Sequence, residues 1–380
     1  MQRAQGRGPD FRVGHGRHEQ WQEAVEAALR QMGDPPPGAN LGFVYVTDHL
    51  APAGRAIVSY LQQTTGVEDW VGSVGVGILG TGVEYLDEPA VVVMLGGLPE
   101  GEFQVFSPAA GLPALGSRTP AGFDAAHLAL VHAGPHDEAL PAQLAELCAG
   151  LASGYLVGGI TSSRTRAYHF ARTAFEDKLS GVVFSDAVPL AVRLTQGCSP
   201  LAVNAPRHAI TAGEGNVIAT LDHRPALDVL CEALGVTATD PDLRDHLQGI
   251  HLGLPVAGSD TGDYLVRNLL GIDRKQGRLV IGEQVQVGQC VLFCRRDAES
   301  AHQDLLRMLD EIRAGLNGPP RGGLYFSCLG RGERLFGRRS AELAIIQERL
   351  GEVPLAGFFC NGEIAHDRLY GYTGVLLLFG

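Results

Sequence analysis

The chain has 380 residues, 45% of them hydrophobic and 19% charged, a balance that excludes a disordered protein. Its 30 Lys+Arg against 42 Asp+Glu give a formal charge of −12, which argues against nucleic acid as a partner. That length predicts two α/β domains, and no apolar run approaches the roughly 18 residues a membrane-spanning helix needs.

The N-terminal stretch, with Arg3, Arg7, Arg12, His15, Arg17 and His18 among glycines, carries no apolar leader segment and reads as a flexible tail over residues 1–19. Seven scattered cysteines read as free thiols in a reducing compartment, so a cytoplasmic location is expected. Helical spacing of Trp21, Val25, Ala28, Leu29 and Met32 predicts a helix over 18–32, stopped by Gly33 and the prolines at 35–37. A buried strand follows over 41–46, then a helix over 52–63 with proline in its first turn. Apolar runs over 70–79 and 90–95 precede a Pro/Gly-rich stretch, 107–122, that reads as a surface loop. The middle is strand-rich, with strands expected over 155–160, 181–184, 190–195, 217–221, 279–281 and 289–294. One helix, 225–234, interrupts it, with Pro225 first and Gly235 last.

The C-terminal end repeats the opening order: helix 301–315, strand 323–327, helix 340–350, strands 355–360 and 374–379. Gly42-Phe43-Val44-Tyr45 parallels Gly323-Leu324-Tyr325-Phe326, and residues 72–79 parallel 357–365. Two related modules pairing their sheets about a pseudo-two-fold are therefore expected. The predicted fold class is mixed α/β (α+β), with helix-strand-helix-strand-strand modules in two domains and mixed, largely antiparallel sheets flanked by helices.

Gly75-Val76-Gly77-Ile78-Leu79-Gly80 matches a dinucleotide fingerprint but leads into another strand instead of a helix, so it reads as a glycine-rich strand or bend. Cys290 and Cys294 sit ~13 Å apart along one strand, too far for a disulfide or a metal pair. No cofactor and no metal are expected. Three segments carry polar groups at strand ends, where α/β architectures tend to bind ligands. Cys328, Gly330 and Arg331 form the first, in which glycine N–H groups and a guanidinium suit a carboxylate. In the second, Cys360, Asn361, Gly362, Glu363 and His366 interrupt an apolar strand, and Glu363 suits an amine or else pairs with an internal arginine such as Arg331. Ser162 and Arg164, after Gly158-Gly159, form the third, which also reads as a turn with hydroxyl-to-backbone bonds. An enzyme would use Cys328 or Cys360 as nucleophile with His366 as base.

These segments resemble the signature positions of FIST proteins. Tyr155-Leu156-Val157-Gly158-Gly159 is similar to that family's VGG strand, and Gly197-Cys198-Ser199-Pro200-Leu201 to its GC-x-P link. Val266-Arg267, Ser327 to Arg331, Glu342 and Gly357 to Ile364 follow in the family's order. The resemblance implies a FIST N-like domain over 20–222 and a FIST C-like domain over 223–380. It also implies a small-ligand sensor, with amino acids or derivatives as ligands, signalling through an unidentified protein partner. A homo-oligomer and a protein-interaction scaffold stay open. Residues 72–78 lack the thiol and carboxylate the family often carries there, which places the expected site mainly in the C-terminal copy.

Overall fold

The computed structural model describes residues 11–110, 126–176, 178–202, 204–256 and 264–380. Most of the loop expected over 107–122 lies outside them. The described chain is mixed α+β and forms two compact units. Unit 1 takes residues 1–195, 305–369 and 373–380, and unit 2 takes 196–304 and 370–372.

Unit 1 opens with β1 (Arg12–Arg17), α1 (Trp21–Met32), β2 (Leu41–Thr47), α2 (Gly54–Thr65), β3 (Trp70–Gly75), β4 (Gly77–Gly80), β5 (Val83–Leu86) and β6 (Ala90–Gly96). Residues 12–17, expected to be tail, are instead an edge strand running antiparallel to β6. Their alternation of small and polar residues hid a strand whose glycines Gly14 and Gly16 lie against the α1 backbone. The chain continues through β7 (Phe103–Phe106), β8 (Leu128–Ala133), α3 (Leu140–Gly150), β9 (Tyr155–Ile160), β10 (His169–Ala171), β11 (Thr173–Phe175), β12 (Leu179–Phe184) and β13 (Leu190–Gln196).

Unit 2 is built from β14 (Cys198–Pro200), β15 (His208–Glu214), β16 (Val217–Leu221), β17 (Arg224–Pro225), α4 (Ala226–Leu234), α5 (Leu243–His246), β18 (Ile250–Pro255), β19 (Tyr264–Asp273), β20 (Arg278–Ile281) and β21 (Cys290–Arg296). Pairing of β18 with both β19 and β21 closes β21-β15-β16-β20-β19-β18 into an antiparallel barrel. Closure removes the free edges that an open sheet would expose. Helix α4 buries Leu227, Val229 and Leu230 with the barrel's apolar residues, and Gly235 ends it in the left-handed conformation, as expected.

The last stretch is α6 (Ala298–Ala314), β22 (Gly322–Cys328), α7 (Glu333–Phe336), α8 (Ala341–Leu350), β23 (Leu355–Cys360), β24 (Glu363–Ala365), β25 (Arg368–Tyr370) and β26 (Thr373–Phe379). It completes a repeat of three copies, not two. In each copy two parallel strands are joined by a helical crossover: β2 with β3, β8 with β9, and β22 with β23. The copy's closing strand, β6, β12 or β26, then runs antiparallel to the first.

Between these strands each copy sends out a hairpin, and the hairpins are exchanged in a ring. The first copy's β4–β5 extends the third sheet, the third copy's β24–β25 extends the second, and the second copy's β10–β11 extends the first. The pseudo-two-fold is therefore replaced by a topological three-fold confined to unit 1. One glycine per copy lies where the exchanged strand joins. A Cβ on Gly72, Gly158 or Gly357 would sit 1.8 Å from the carbonyl oxygen of Val44, Val131 or Tyr325. Those glycines pair in turn with Phe170, Ile364 and Leu79 of the incoming strands. Any side chain there would drive the parallel pair apart.

Candidate functional site

Cross-strand register sets which side chains face the middle of unit 1, because residues directly opposite on paired strands share one face of the sheet. In the first sheet Tyr45, Ser73 and His169 stand in one row. In the second the row is Ser180, His132, Gly159 and Glu363. In the third it is Phe326, Phe358 and Ile78. Equivalent positions Tyr45, His132 and Phe326 meet ring to ring, with centroids 5.7, 6.4 and 6.1 Å apart. Two rows are thus polar and one apolar.

The polar rows are buried and tied together. Tyr45 Oη and His132 Nε2 are 3.2 Å apart, and His169 Nδ1 bonds the Ser180 hydroxyl. Burial, with the nearby His169, pushes the His132 imidazole down to about 3, so it is neutral at physiological pH. Its Nδ1 has no hydrogen-bond partner among the described residues. No residue of this axis except Glu363 stands out in the sequence.

Glu363 is fully buried at the start of β24. Its Oε2 accepts from Thr373 N–H at 3.1 Å and Thr373 Oγ1 at 2.7 Å, whereas Oε1 has no partner among the described residues. Burial raises this carboxyl to about 8, against the smaller lowering influences of Thr373, Arg331 and the Cys328 thiol. A carboxyl with one open oxygen in a dry environment holds its proton until a cation or a donor arrives.

The sequence-selected residues converge on this carboxyl in part. Cys328 and Cys360 are opposite each other at the ends of the parallel strands β22 and β23. Ser162 is drawn to the same place, its hydroxyl donating to the Phe359 carbonyl and accepting from Val76 N–H. Asn361 N–H donates to Ile160 O, and Ile160 N–H donates to Gly362 O, so the turn before Glu363 is laced to the end of β9. Gly159 lies over Cys360, since a Cβ there would meet its sulfur at 2.3 Å. Cys328, Leu329 and Gly330 are only partly buried, Gly362 likewise, and Asn361 is exposed, so both turns beside this group reach solvent. The Gly330 N–H points at Cys328 Sγ, 3.5 Å away.

Arg331 and Arg164 go elsewhere. Arg331 is 1% exposed and is neither a solvated turn residue nor the hydrogen-bonded partner of Glu363: its Nε and Nη2 donate to Glu342 Oε1 at 2.8 and 2.5 Å. Tyr325 Oη and Ser327 Oγ donate to the same carboxylate, and the Phe336 ring lies 5.5 Å from the guanidinium. Glu84, 1% exposed, has its pKa raised by burial, with Glu342 a contributor. Arg164 closes on Asp48 through Nε at 2.8 Å and also reaches Asp87, which holds the Asp48 carboxyl low despite its burial. Arg331 therefore fixes the loop that carries Gly330, and Arg164 the loop that carries Ser162. His366 is half-exposed, bonded to Asp367 and packed on Tyr155.

None of the seven cysteines is in a disulfide. Burial and the neighbouring Glu363 push the Cys360 thiol well above its ordinary range, which leaves it in the weakly nucleophilic protonated form. Only Cys290 is exposed and Cys328 intermediate. Alkylation of the native protein followed by intact mass should therefore add one label quickly and a second slowly; three or more rapid labels would contradict this packing. Among the described residues no helix is long and apolar enough to cross a membrane, and no group of three or more His, Cys, Asp or Glu is arranged to hold a metal.

Comparison with known proteins gives two adjoining matches, a FIST N domain over residues 40–224 and a FIST C domain over 226–366. Both matched segments contribute strands to each compact unit. An uncharacterized protein of Mycobacterium tuberculosis (strain CDC 1551 / Oshkosh) is 36% identical over 328 residues, covering 81% of this chain and 83% of its own. An uncharacterized protein of Mycobacterium bovis (strain ATCC BAA-935 / AF2122/97) is 33% identical over 378 residues, covering 94% and 95%.

Proposed function

Since the chain belongs to the FIST family, whose domains are associated with sensory signal transduction, we propose that it is a small-ligand sensor whose ligand bears an amine, as an amino acid or its derivative does. The observation that carries this reading is the open Oε1 of the buried Glu363 carboxyl beside the partly exposed Cys328–Gly330 turn. An arriving ammonium supplies the missing partner and favours the carboxylate, so binding expels the Glu363 proton. The expelled proton and the new ion pair reorder the turn that joins β23 to β24, and differential affinity for the two arrangements passes the signal to a protein partner. Seven cysteines outside any disulfide suit a reducing, cytoplasmic setting.

Thermal stability against a panel of amino acids, their amides and the corresponding amines tests this. A true ligand at 100 times its Kd should stabilise the protein by about 2.7 kcal/mol. Its affinity should rise with pH up to about 8, where Glu363 ionises unaided, by as much as about tenfold per unit. Glu363→Gln should abolish the gain and its pH dependence. Silence across the panel, or a hit indifferent to that substitution, rejects the reading.

A further inference from the structure

Unit 2 carries a second concave site of different chemistry. A half-open pocket of about 320 Å³ lies on the barrel wall beside α4, lined by Leu201, Ala205, His208, Val229 and Phe293 with Asp222 behind His208. Phe293 forms a buried wall, 3% exposed, with its ring centroid 5.5 Å from that of His208.

The imidazole is held by a fixed acceptor. His208 Nδ1 lies 2.7 Å from Asp222 Oδ2, and Asp222 Oδ1 accepts Ala209 N–H at 2.9 Å. These bonds, the His208 one foremost, keep the Asp222 carboxyl below its ordinary range and therefore ionised. A carboxylate on Nδ1 fixes a proton at that nitrogen, so whenever the ring carries one proton Nε2 is its acceptor. Nε2 makes no hydrogen bond among the described residues, and the side chain is 13% exposed. Asp222 and His223 both have positive φ, 49° and 64°, in the two-residue turn that joins β16 to β17. Two non-glycine residues in that conformation cost the backbone free energy, and the strain is retained where it aims Asp222 at His208.

Charge and size then narrow the occupant. At the rim Arg224 is engaged by Glu232 at 2.7 Å, and the two Asp222 oxygens are taken by His208 Nδ1 and Ala209 N–H, so no charged group of the pocket is left open to hold an ion. An apolar cavity of about 150 Å³ already accepts benzene, so about 320 Å³ accommodates one or two rings. We propose that this pocket binds a small neutral aromatic molecule carrying one O–H or N–H donor, its ring against Phe293 and its donor on His208 Nε2. The polar atom fixes orientation while the ring supplies the buried area.

The probes are phenol and indole, each set against its methylated analogue, anisole and 1-methylindole, which keep the ring and lose the donor. Ligand-observed NMR titration of the full chain should show saturable binding of phenol or indole, weakened about 3- to 10-fold by methylation, the range one hydrogen bond supplies. His208→Phe should erase the difference between the members of each pair, with folding checked by circular dichroism. If that variant does not fold, the methylation comparison on the unmodified chain decides alone. Glu363→Gln should leave phenol and indole binding unchanged, which separates this site from the amine site. Absence of saturable binding up to the solubility limit overturns the proposal, as does equal affinity for methylated and unmethylated probes; the His208–Asp222 pair would then be a structural tie only.

Discussion

Arg331→Ala should lower the unfolding free energy by roughly 3–5 kcal/mol, because it strips a buried carboxylate of its counter-ion. Glu342 is 2% exposed and holds Arg331 Nε, Arg331 Nη2, Tyr325 Oη and Ser327 Oγ together at distances from 2.5 to 3.0 Å. Without the guanidinium, the charge stays dry with two hydroxyl donors, and Glu84 adds like charge nearby. Glu342→Ala should cost a similar amount by orphaning Arg331, and the double substitution should cost clearly less than the sum. Urea denaturation at neutral pH measures all three. A loss below about 1 kcal/mol for Arg331→Ala, the range of exposed pairs, would mean that the side chain is solvated. Loss of ligand response in this variant is therefore no evidence that Arg331 touches ligand; Glu363→Gln is the informative substitution.

The second large effect is on the pH profile of stability. Glu363 is raised to about 8 from 4.5, so between these values the folded state holds a proton that the unfolded chain has released, and stability falls as pH rises. His132 is lowered to about 3 from 6.5, so between those values the unfolded chain binds a proton that the folded state refuses, and stability falls as pH drops. Where the windows overlap, from 4.5 to 6.5, the two slopes cancel. These groups alone give a plateau there, with losses of about 2 kcal/mol on each flank. Glu363→Gln should remove the alkaline loss. His132→Phe, which installs the ring of its repeat mate Phe326, should remove the acid loss. Thermal melts from pH 3 to 9 read both; a variant profile parallel to that of the unmodified chain would show that the group is solvated or ionised in the fold.

Much of this architecture is legible in the sequence, because apolar runs bounded by Gly and Pro mark strands buried on both faces. The strands at 155–160 and 355–360 lie where the pattern puts them, as does the partly buried strand at 217–221. The third copy escapes because β8 is only six residues with a histidine inside it, and α3 follows with a weakly segregated apolar face. A signal for it exists: Val157-Gly158-Gly159 matches Val71-Gly72-Ser73 and Ala356-Gly357-Phe358, with the glycine forced by the same carbonyl contact.

Of the residues gathered around the proposed amine site, the sequence singles out Ser162, Cys328, Cys360 and Glu363, where polar residues interrupt or end apolar strands. It does not single out His132, His169 and Ser180, since a lone polar residue in a strand reveals nothing until register brings three sheets together. Arg331 is misread for the same reason. Its partner Glu342 is eleven residues away on the next long helix, and only the fold turns that glutamate inward.

The most direct test of the central claim is a crystal structure of the protein grown with its stabilising amine. The account predicts the ligand nitrogen within hydrogen-bonding distance of Glu363 Oε1 and the turn that joins β23 to β24 rearranged. Density for the ligand elsewhere, with Glu363 Oε1 still lacking any partner but water, would contradict it.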